Sequence, residues 1–346
     1  MNTADRDELN RLMGDMLHAY VEGRPRDMPA DAIDPNEEAI ARYRLVPRLM
    51  KGARGISTET DFFGYAAAAP LLVGAFAADL IISEEGILPI ARAAADLSLP
   101  LMVSEECLTP FDRITAVHSQ AFLQLRAAGP LERAERLIAQ TADEGGKGIM
   151  LTALAPVHPR PGLRPGGVDI AAEIARRGLA TVGARDGVAH LPPFPSWNWD
   201  DVRHVIGFAH GKGLKVILKG VLDPADARQA AKAGSDAVMV SNIGVRQLYR
   251  WAPAVEQLPA VRAAAPDLPV ILDGGIRNGA DAIVAAALGA NFACMVRPVI
   301  FSMVRGGEAG VRGFLQQVID DIATIASWMG AESPADLGPD QVTRNL

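Results

Sequence analysis

A chain of 346 residues is long enough for two ordinary domains or for one large α/β barrel with extensions. Hydrophobic residues at 49% and charged residues at 22% exclude a disordered chain, a collagen-like repeat and a coiled coil, and a net charge of -7 leaves no basic excess to hold a nucleic-acid backbone. Cys107 and Cys294 stand at no metal-ligand spacing, which argues against a disulfide framework or a cysteine zinc site and fits a reducing compartment.

The first eight residues carry charges of both signs and no apolar run of the secretory kind, so the expected location is cytoplasmic. Residues 1–60 read as an N-terminal helical extension, with two helical patterns flanking the polar segment Arg24 to Asp31. Residues 61–346 read as the main body. Its longest uncharged stretch, Tyr65 to Ala78, is shorter than the roughly 20 apolar residues a spanning helix needs, so it is expected to be buried barrel core, with no membrane partner.

Eight apolar runs then alternate with Ala-rich helical segments: Pro70 to Ala75, Leu99 to Ser104, Ala121 to Leu125, Gly148 to Ala153, Lys215 to Gly220, Asp236 to Asn242, Pro269 to Gly275 and Phe292 to Pro298. Continuously apolar strands alternating with helices such as Pro224 to Ala233 indicate a parallel sheet covered on both faces, and eight of them favour a (β/α)8 TIM barrel. The spacing breaks once, at 156–202, where Pro, Gly, His and Trp accumulate. After a fourth strand this is either a lid over the barrel mouth or a surface insertion. Asp169 to Arg177 is expected to form one short helix within it. Glu308 to Met329 reads as a long amphipathic helix closing the barrel, followed by polar residues expected to fray.

Chemistry concentrates at strand ends. Asp273-Gly274-Gly275-Ile276-Arg277 puts an acid before a Gly-Gly turn and a guanidinium after it, and Arg297-Pro298 follows the eighth strand. Loops after strands seven and eight form the usual barrel phosphate site, and two guanidiniums with glycine N–H groups suit a phosphate dianion. The alternative is a structural turn with two surface arginines. Lys219 ends the fifth strand, where an ammonium at the mouth stabilises a developing anion or simply snorkels at the rim.

Lys219-Gly220, Ser241-Asn242-Ile243-Gly244-Val245-Arg246-Gln247-Leu248, Asp273 to Arg277, Arg297-Pro298 and Gly306 to Val311 together resemble the FMN-dependent 2-hydroxy-acid oxidase and dehydrogenase family. Tyr43 to Arg48, Pro70 to Ala77, Ser104, Phe122 to Leu125 and Thr152 agree more loosely and in order, so the resemblance spans nearly the whole chain. It implies FMN held by backbone around Ala75, Phe76 and Ala77 and by Ser104, Gln124 and Thr152. By the same resemblance Lys219 lies against the flavin pyrimidine, Ser241 supports the site, Asp273 holds the ribityl chain, and Gly275, Arg277, Val296 and Arg297 hold the phosphate. Val296 stands where the family usually has Gly. The resemblance further implies a homotetramer; with no haem-type Cys-x-x-Cys-His motif and no membrane segment in the sequence, the expected electron acceptor is oxygen, a quinone or a partner protein.

The substrate side departs from the family pattern. The His base of the strand-six motif is Ile243, and its companion Asp is Leu154, so general-base assistance worth about 10²–10⁴-fold is missing from its usual place. The strand-three Tyr is Arg126, the N-terminal substrate Tyr aligns with Ala19, and an aromatic position after strand two is Glu106. Arg246, the family's partner for the substrate carboxylate, is retained. Two guanidiniums suit a more acidic substrate with Glu106 as proton acceptor, or Arg126 and Glu106 satisfy each other. His158 and His190 are further candidates within 156–202, whereas His118, His204 and His210 are expected to pack or face solvent. The expected function is an FMN-dependent oxidoreductase acting on a small anionic substrate. The alternatives are flavin chemistry without net oxidation (isomerisation, elimination or decarboxylation), a catalytically inactive flavin-binding homologue, and a sugar-phosphate barrel without flavin.

Overall fold

The apolar runs form parallel strands that close into a barrel in the computed structural model of the chain. The structure describes residues 3–52, 54–156, 165–184 and 196–345. In chain order the strands are β1 (Tyr43–Leu45), β2 (Thr60–Phe62), β3 (Tyr65–Ala67), β4 (Leu71–Val73), β5 (Leu101–Ser104), β6 (Ala121–Arg126), β7 (Gly148–Thr152), β8 (Lys215–Val221), β9 (Ala237–Ser241), β10 (Val270–Asp273), β11 (Phe292–Met295) and β12 (Val342–Arg344). Strands β4 to β11 follow one another around the barrel, and β11 pairs with β4 to close it. This is the expected (β/α)8 barrel.

Each barrel strand is buried on both faces, which is why it reads as an unbroken apolar run. Leu72, Met102, Phe122, Met150, Ile217, Met239, Ile271 and Phe292 point inward and fill the interior. Their neighbours, among them Leu71, Val103, Leu123, Leu151, Leu218, Val240 and Leu272, pack outward against the helices. Each such side chain contributes roughly 1.5–3 kcal/mol by leaving water.

Within the stretch expected to be buried barrel core, Tyr65–Ala67 forms the second arm of an antiparallel hairpin, β2 with β3, turned at Phe63 and Gly64, both with positive φ, and Ala67 is buried with the inward-facing barrel side chains. The hairpin drives Phe62 into the barrel floor, with its ring 5.3 Å from Phe122 and 5.0 Å from Phe292.

The N-terminal segment forms α1 (Thr3–Met13), α2 (Asp15–Glu22) and α3 (Pro35–Ile40). Helix α2 stops at Gly23, whose φ of 66° is left-handed. Helix α3 starts because the Asp34 carboxylate accepts from the N–H of Asn36 at 2.9 Å and Pro35 occupies the first turn. Asn36 is fully buried and exchanges two side-chain hydrogen bonds with Asn242, at 2.9 and 2.8 Å, which fixes α3 to the turn after β9.

The final helical segment Arg297–Trp328 is broken at Gly306 and Gly307, so a second helix begins at Glu308, the start read from the sequence. The residues expected to fray include β12, which pairs antiparallel with β1. In the loop after β7, Asp169 caps the helix Ile170–Arg176 and Asn198 caps Trp199–Gly211; His158 and His190 lie outside the described residues. Among the described residues, no helix is long and apolar enough to cross a membrane.

Candidate functional site at the barrel mouth

A belt of polar side chains replaces the apolar interior at the C-terminal ends of the strands. The Ser104 hydroxyl donates to Gln124 Oε1 at 3.1 Å, and Gln124 Nε2 donates to Thr152 Oγ1 at 3.1 Å, linking β5, β6 and β7. Thr152 is paired in register with Lys219. The Lys219 ammonium donates to Ser241 Oγ at 3.0 Å and is ion-paired to Asp273, while the Ser241 hydroxyl donates to Asp273 at 2.6 Å. The structure therefore brings together six of the side chains singled out in the sequence. Burial pushes the Asp273 carboxyl up, but the Lys219 ammonium and the Ser241 hydroxyl outweigh it, and the net displacement is below the ordinary carboxylate range. Beside it, burial and the Asp273 charge hold the Cys294 thiol well above its usual value, so Cys294 is an inert packing group.

Ala75, Phe76 and Ala77 leave β4 as irregular, half-buried backbone. Among the described residues, none of their N–H groups has a hydrogen-bond acceptor. Val296 is accommodated by a glycine elsewhere: a Cβ at Gly74 would sit 2.4 Å from Val296 Cγ2 and 2.7 Å from Cys294 Sγ.

The guanidiniums expected at the phosphate end face carboxylates. Arg277 donates to Glu37 Oε1 through Nε at 2.9 Å and Nη2 at 2.6 Å. Arg297 donates through Nη1 to Asp34 at 2.7 Å and through Nη2 to the carbonyl of Gly244 at 2.8 Å. Neither acid was singled out in the sequence.

At the substrate side, Ile243 and Val245 both adopt left-handed backbone, φ 48° and 61°, a costly conformation for β-branched residues. The N–H of Ile243 is held by Ser241 Oγ at 3.0 Å. Leu154 lies against the glycine of the neighbouring strand end: a Cβ at Gly220 would come 2.5 Å from Leu154 Cβ. Arg246 is part-buried, and its Nη2 and Nη1 donate to the carbonyls of Tyr20 and Val21 at 2.9 and 3.2 Å, capping α2. Burial pushes its guanidinium below the ordinary value, with Arg297 acting in the same direction.

Next to Ala19, which the sequence reading placed at the N-terminal tyrosine position, stands Tyr20. It is buried, it stacks on Arg246, and the charges of Arg246 and Arg126 partly offset the upward push of burial on its hydroxyl. Arg126 is ion-paired to Glu106, whose side chain is 44% exposed. The preceding Glu105, not singled out, is buried. It accepts from the N–H of Arg126 at 3.0 Å and from Arg133 Nη2 at 2.7 Å, and its carbonyl receives the N–H of Gly183 at 2.8 Å, tying the segment after β7 to the barrel. His118 is buried with Nε2 2.8 Å from the carbonyl of Leu99, while His204 and His210 pair with Glu135 and Asp236 at the surface. Trp197 anchors through Nε1 to the carbonyl of Gly129 at 2.8 Å. Among the described residues there is no cluster of His, Cys, Asp and Glu suited to a metal ion.

Comparison with known proteins agrees with this geometry. The family model described as FMN-dependent dehydrogenase matches residues 10–344. The 4-hydroxymandelate oxidase of Amycolatopsis orientalis is 32% identical over 311 residues, 86% of this chain and 86% of that protein. The L-lactate oxidase of Roseobacter sp. (strain GAI101) is 29% identical over 352 residues, 97% of this chain and 92% of that one. The crystal structure of mandelate oxidase with benzoyl-formic acid superposes with a TM-score of 0.81 at 28% identity, covering 99% of this chain and 98% of that chain.

Proposed function

The chain belongs to the FMN-dependent dehydrogenase family, and on that premise we propose that it oxidises a small carboxylate-bearing substrate of the 2-hydroxy-acid type without a histidine base. Its cofactor is FMN. The donor set fits that group: two hydrogen-bonded side-chain sets on adjacent strands, Ser104–Gln124–Thr152 and Lys219–Ser241–Asp273, N–H groups at Ala75 to Ala77 that have no acceptor among the described residues, and two guanidiniums beside a Gly-Gly turn. The belt is the observation that carries the reading.

When bound, FMN supplies the two-electron acceptor. The backbone of Ala75, Phe76 and Ala77 with Ser104, Gln124 and Thr152 would hold its ring, Lys219 and Ser241 its pyrimidine side, Asp273 its ribityl chain, and Gly275, Arg277, the Val296 backbone and Arg297 its phosphate. Lys219 keeps a fixed positive charge where negative charge accumulates, already oriented by Ser241 and Asp273. Arg246 binds the substrate carboxylate as a planar fork, and Arg126 offers a second guanidinium to a substrate of higher charge. Ile243 and Leu154 are alkyl and accept no proton. The half-exposed Glu106 carboxylate, oriented by Arg126, is the proton acceptor in this reading. Reoxidation falls to oxygen, a quinone or a partner protein, the assembly is a homotetramer, and the location is the cytoplasm.

A second reading is favoured by the way Arg126 and Arg246 already engage groups of the chain itself. In it the protein binds FMN but catalyses isomerisation, elimination or decarboxylation, or no reaction. Anaerobic addition of mono- and dicarboxylic 2-hydroxy acids to the purified yellow protein, followed at the flavin band, separates the two. Bleaching supports oxidation without a base at position 243; a yellow protein that no hydroxy acid bleaches supports the second reading; a colourless protein that FMN cannot reconstitute removes both.

A further inference from the structure

The phosphate end of the site carries its own anions. Resting on the FMN reading, we propose that Asp34 and Glu37 are internal competitors for the cofactor phosphate, so that this chain holds FMN chiefly by its ring and ribityl end and exchanges it readily. Each guanidinium meant for the phosphate is already in contact with a carboxylate: Arg277 with Glu37 at 2.6 Å, and Arg297 with Asp34 at 2.7 Å. Two positive charges face two negative ones. A phosphate dianion entering a pair that is already neutral gains far less than it would from two unengaged guanidiniums.

The carboxylates are not on a loop that swings aside. Asp34 is the N-cap of α3, and Glu37 lies in its first turn. The helix is pinned by Asn36, which exchanges hydrogen bonds with Asn242 and accepts from the N–H of Ala254 at 3.1 Å. The backbone of Asn36 also presses on the Gly-Gly turn, where a Cβ at Gly275 would stand 2.7 Å from its carbonyl oxygen. The Asn36 contacts thus hold the backbone that carries both acids at this end of the site. All four charged groups line a cavity of about 900 Å³ between the N-terminal segment and the helical segment Arg297–Trp328.

The test compares FMN with riboflavin, which lacks the phosphate, by fluorescence titration of the deflavinated full chain. Wild type is expected to prefer FMN by at most about tenfold. The double variant Asp34→Asn, Glu37→Gln is expected to bind FMN about tenfold more tightly and release it correspondingly more slowly, with riboflavin affinity unchanged. Asn caps a helix as well as Asp does, so α3 survives the change. Glu37→Gln alone is expected to give a smaller gain of the same sign. FMN affinity that is unchanged or weaker in the double variant, with riboflavin binding intact, overturns the proposal and makes the acids mere struts for the arginines. Failure of wild type to bind either flavin overturns the FMN reading itself, because riboflavin does not use the phosphate end.

Discussion

The guanidinium of Arg246 lies 5.0 Å from the ring centre of Tyr20 while donating to the carbonyl of the same residue at 2.9 Å. One side chain thus closes α2 and, in the proposed function, grips the substrate carboxylate, and Gly23 makes room for it, since a Cβ there would sit 2.2 Å from Nη1.

Two substitutions test that double role. In Arg246→Lys a single ammonium cannot reach both α2 carbonyls and also grip a carboxylate as a fork. We expect KM to rise at least tenfold and stability to fall by about 1–2 kcal/mol. Gly23→Ala, at φ 66° and against the guanidinium, should reproduce both effects without touching the arginine. If urea melts and steady-state kinetics show Gly23→Ala to be silent, the link between cap and site is wrong.

Glu106 and Glu105 are adjacent, and the structure separates their expected roles. Glu106→Gln should lower kcat by at least about 100-fold with flavin spectrum and melting temperature unchanged. Glu105→Gln removes charge from a buried group held by Arg133 and the Arg126 N–H, so it should destabilise the fold by about 2–4 kcal/mol. Wild-type turnover in Glu106→Gln would remove Glu106 from the mechanism.

Asp273 links the site to acid stability. Its carboxyl lies below the ordinary range in the folded chain, against about 3.9 when unfolded. The folded state therefore binds its proton less readily. The stabilisation is complete above the unfolded value and is lost as pH falls through the lower, folded one. Asp273→Asn is expected to flatten the stability profile below about pH 4. Lys219→Met leaves the carboxylate buried without its ion-pair partner and should cost about 3–5 kcal/mol at neutral pH. An acid-unfolding midpoint unchanged in Asp273→Asn would contradict the assignment.

The barrel was legible because strands buried on both faces must be apolar throughout, and the belt was legible because it ends those runs. The N-terminal contacts were not. Arg277 meets Glu37 across 240 residues and Arg297 meets Asp34 across 263, and no local pattern encodes such pairs. Likewise β12 is polar because it is an edge strand whose partner β1 lies at the other end of the chain. The hairpin at Tyr65–Ala67 was not legible, because a hairpin arm in a barrel floor is as apolar as a wall.

Ile243 offers the most direct test of the proposal that the site works without a histidine base. A β-branched residue in the left-handed region is strained by roughly 1–3 kcal/mol, and Ile243 holds φ 48° between Ser241, which binds its N–H, and Gly244, whose carbonyl is held by Arg297. His tolerates that region several-fold better than Ile, so Ile243→His suits the backbone already present. We expect its melting temperature to equal or exceed that of wild type. Where flavin bleaching by a 2-hydroxy acid is limited by proton removal, the bleaching rate should rise by about 100-fold. Adding Leu154→Asp should raise it further by orienting the imidazole, while Gly220 beside it leaves the strand end undisturbed. Stopped-flow reduction reads the rate directly. A stable, yellow Ile243→His, Leu154→Asp variant that reduces no faster than wild type would show that substrate binding, and not the missing base, sets the limit.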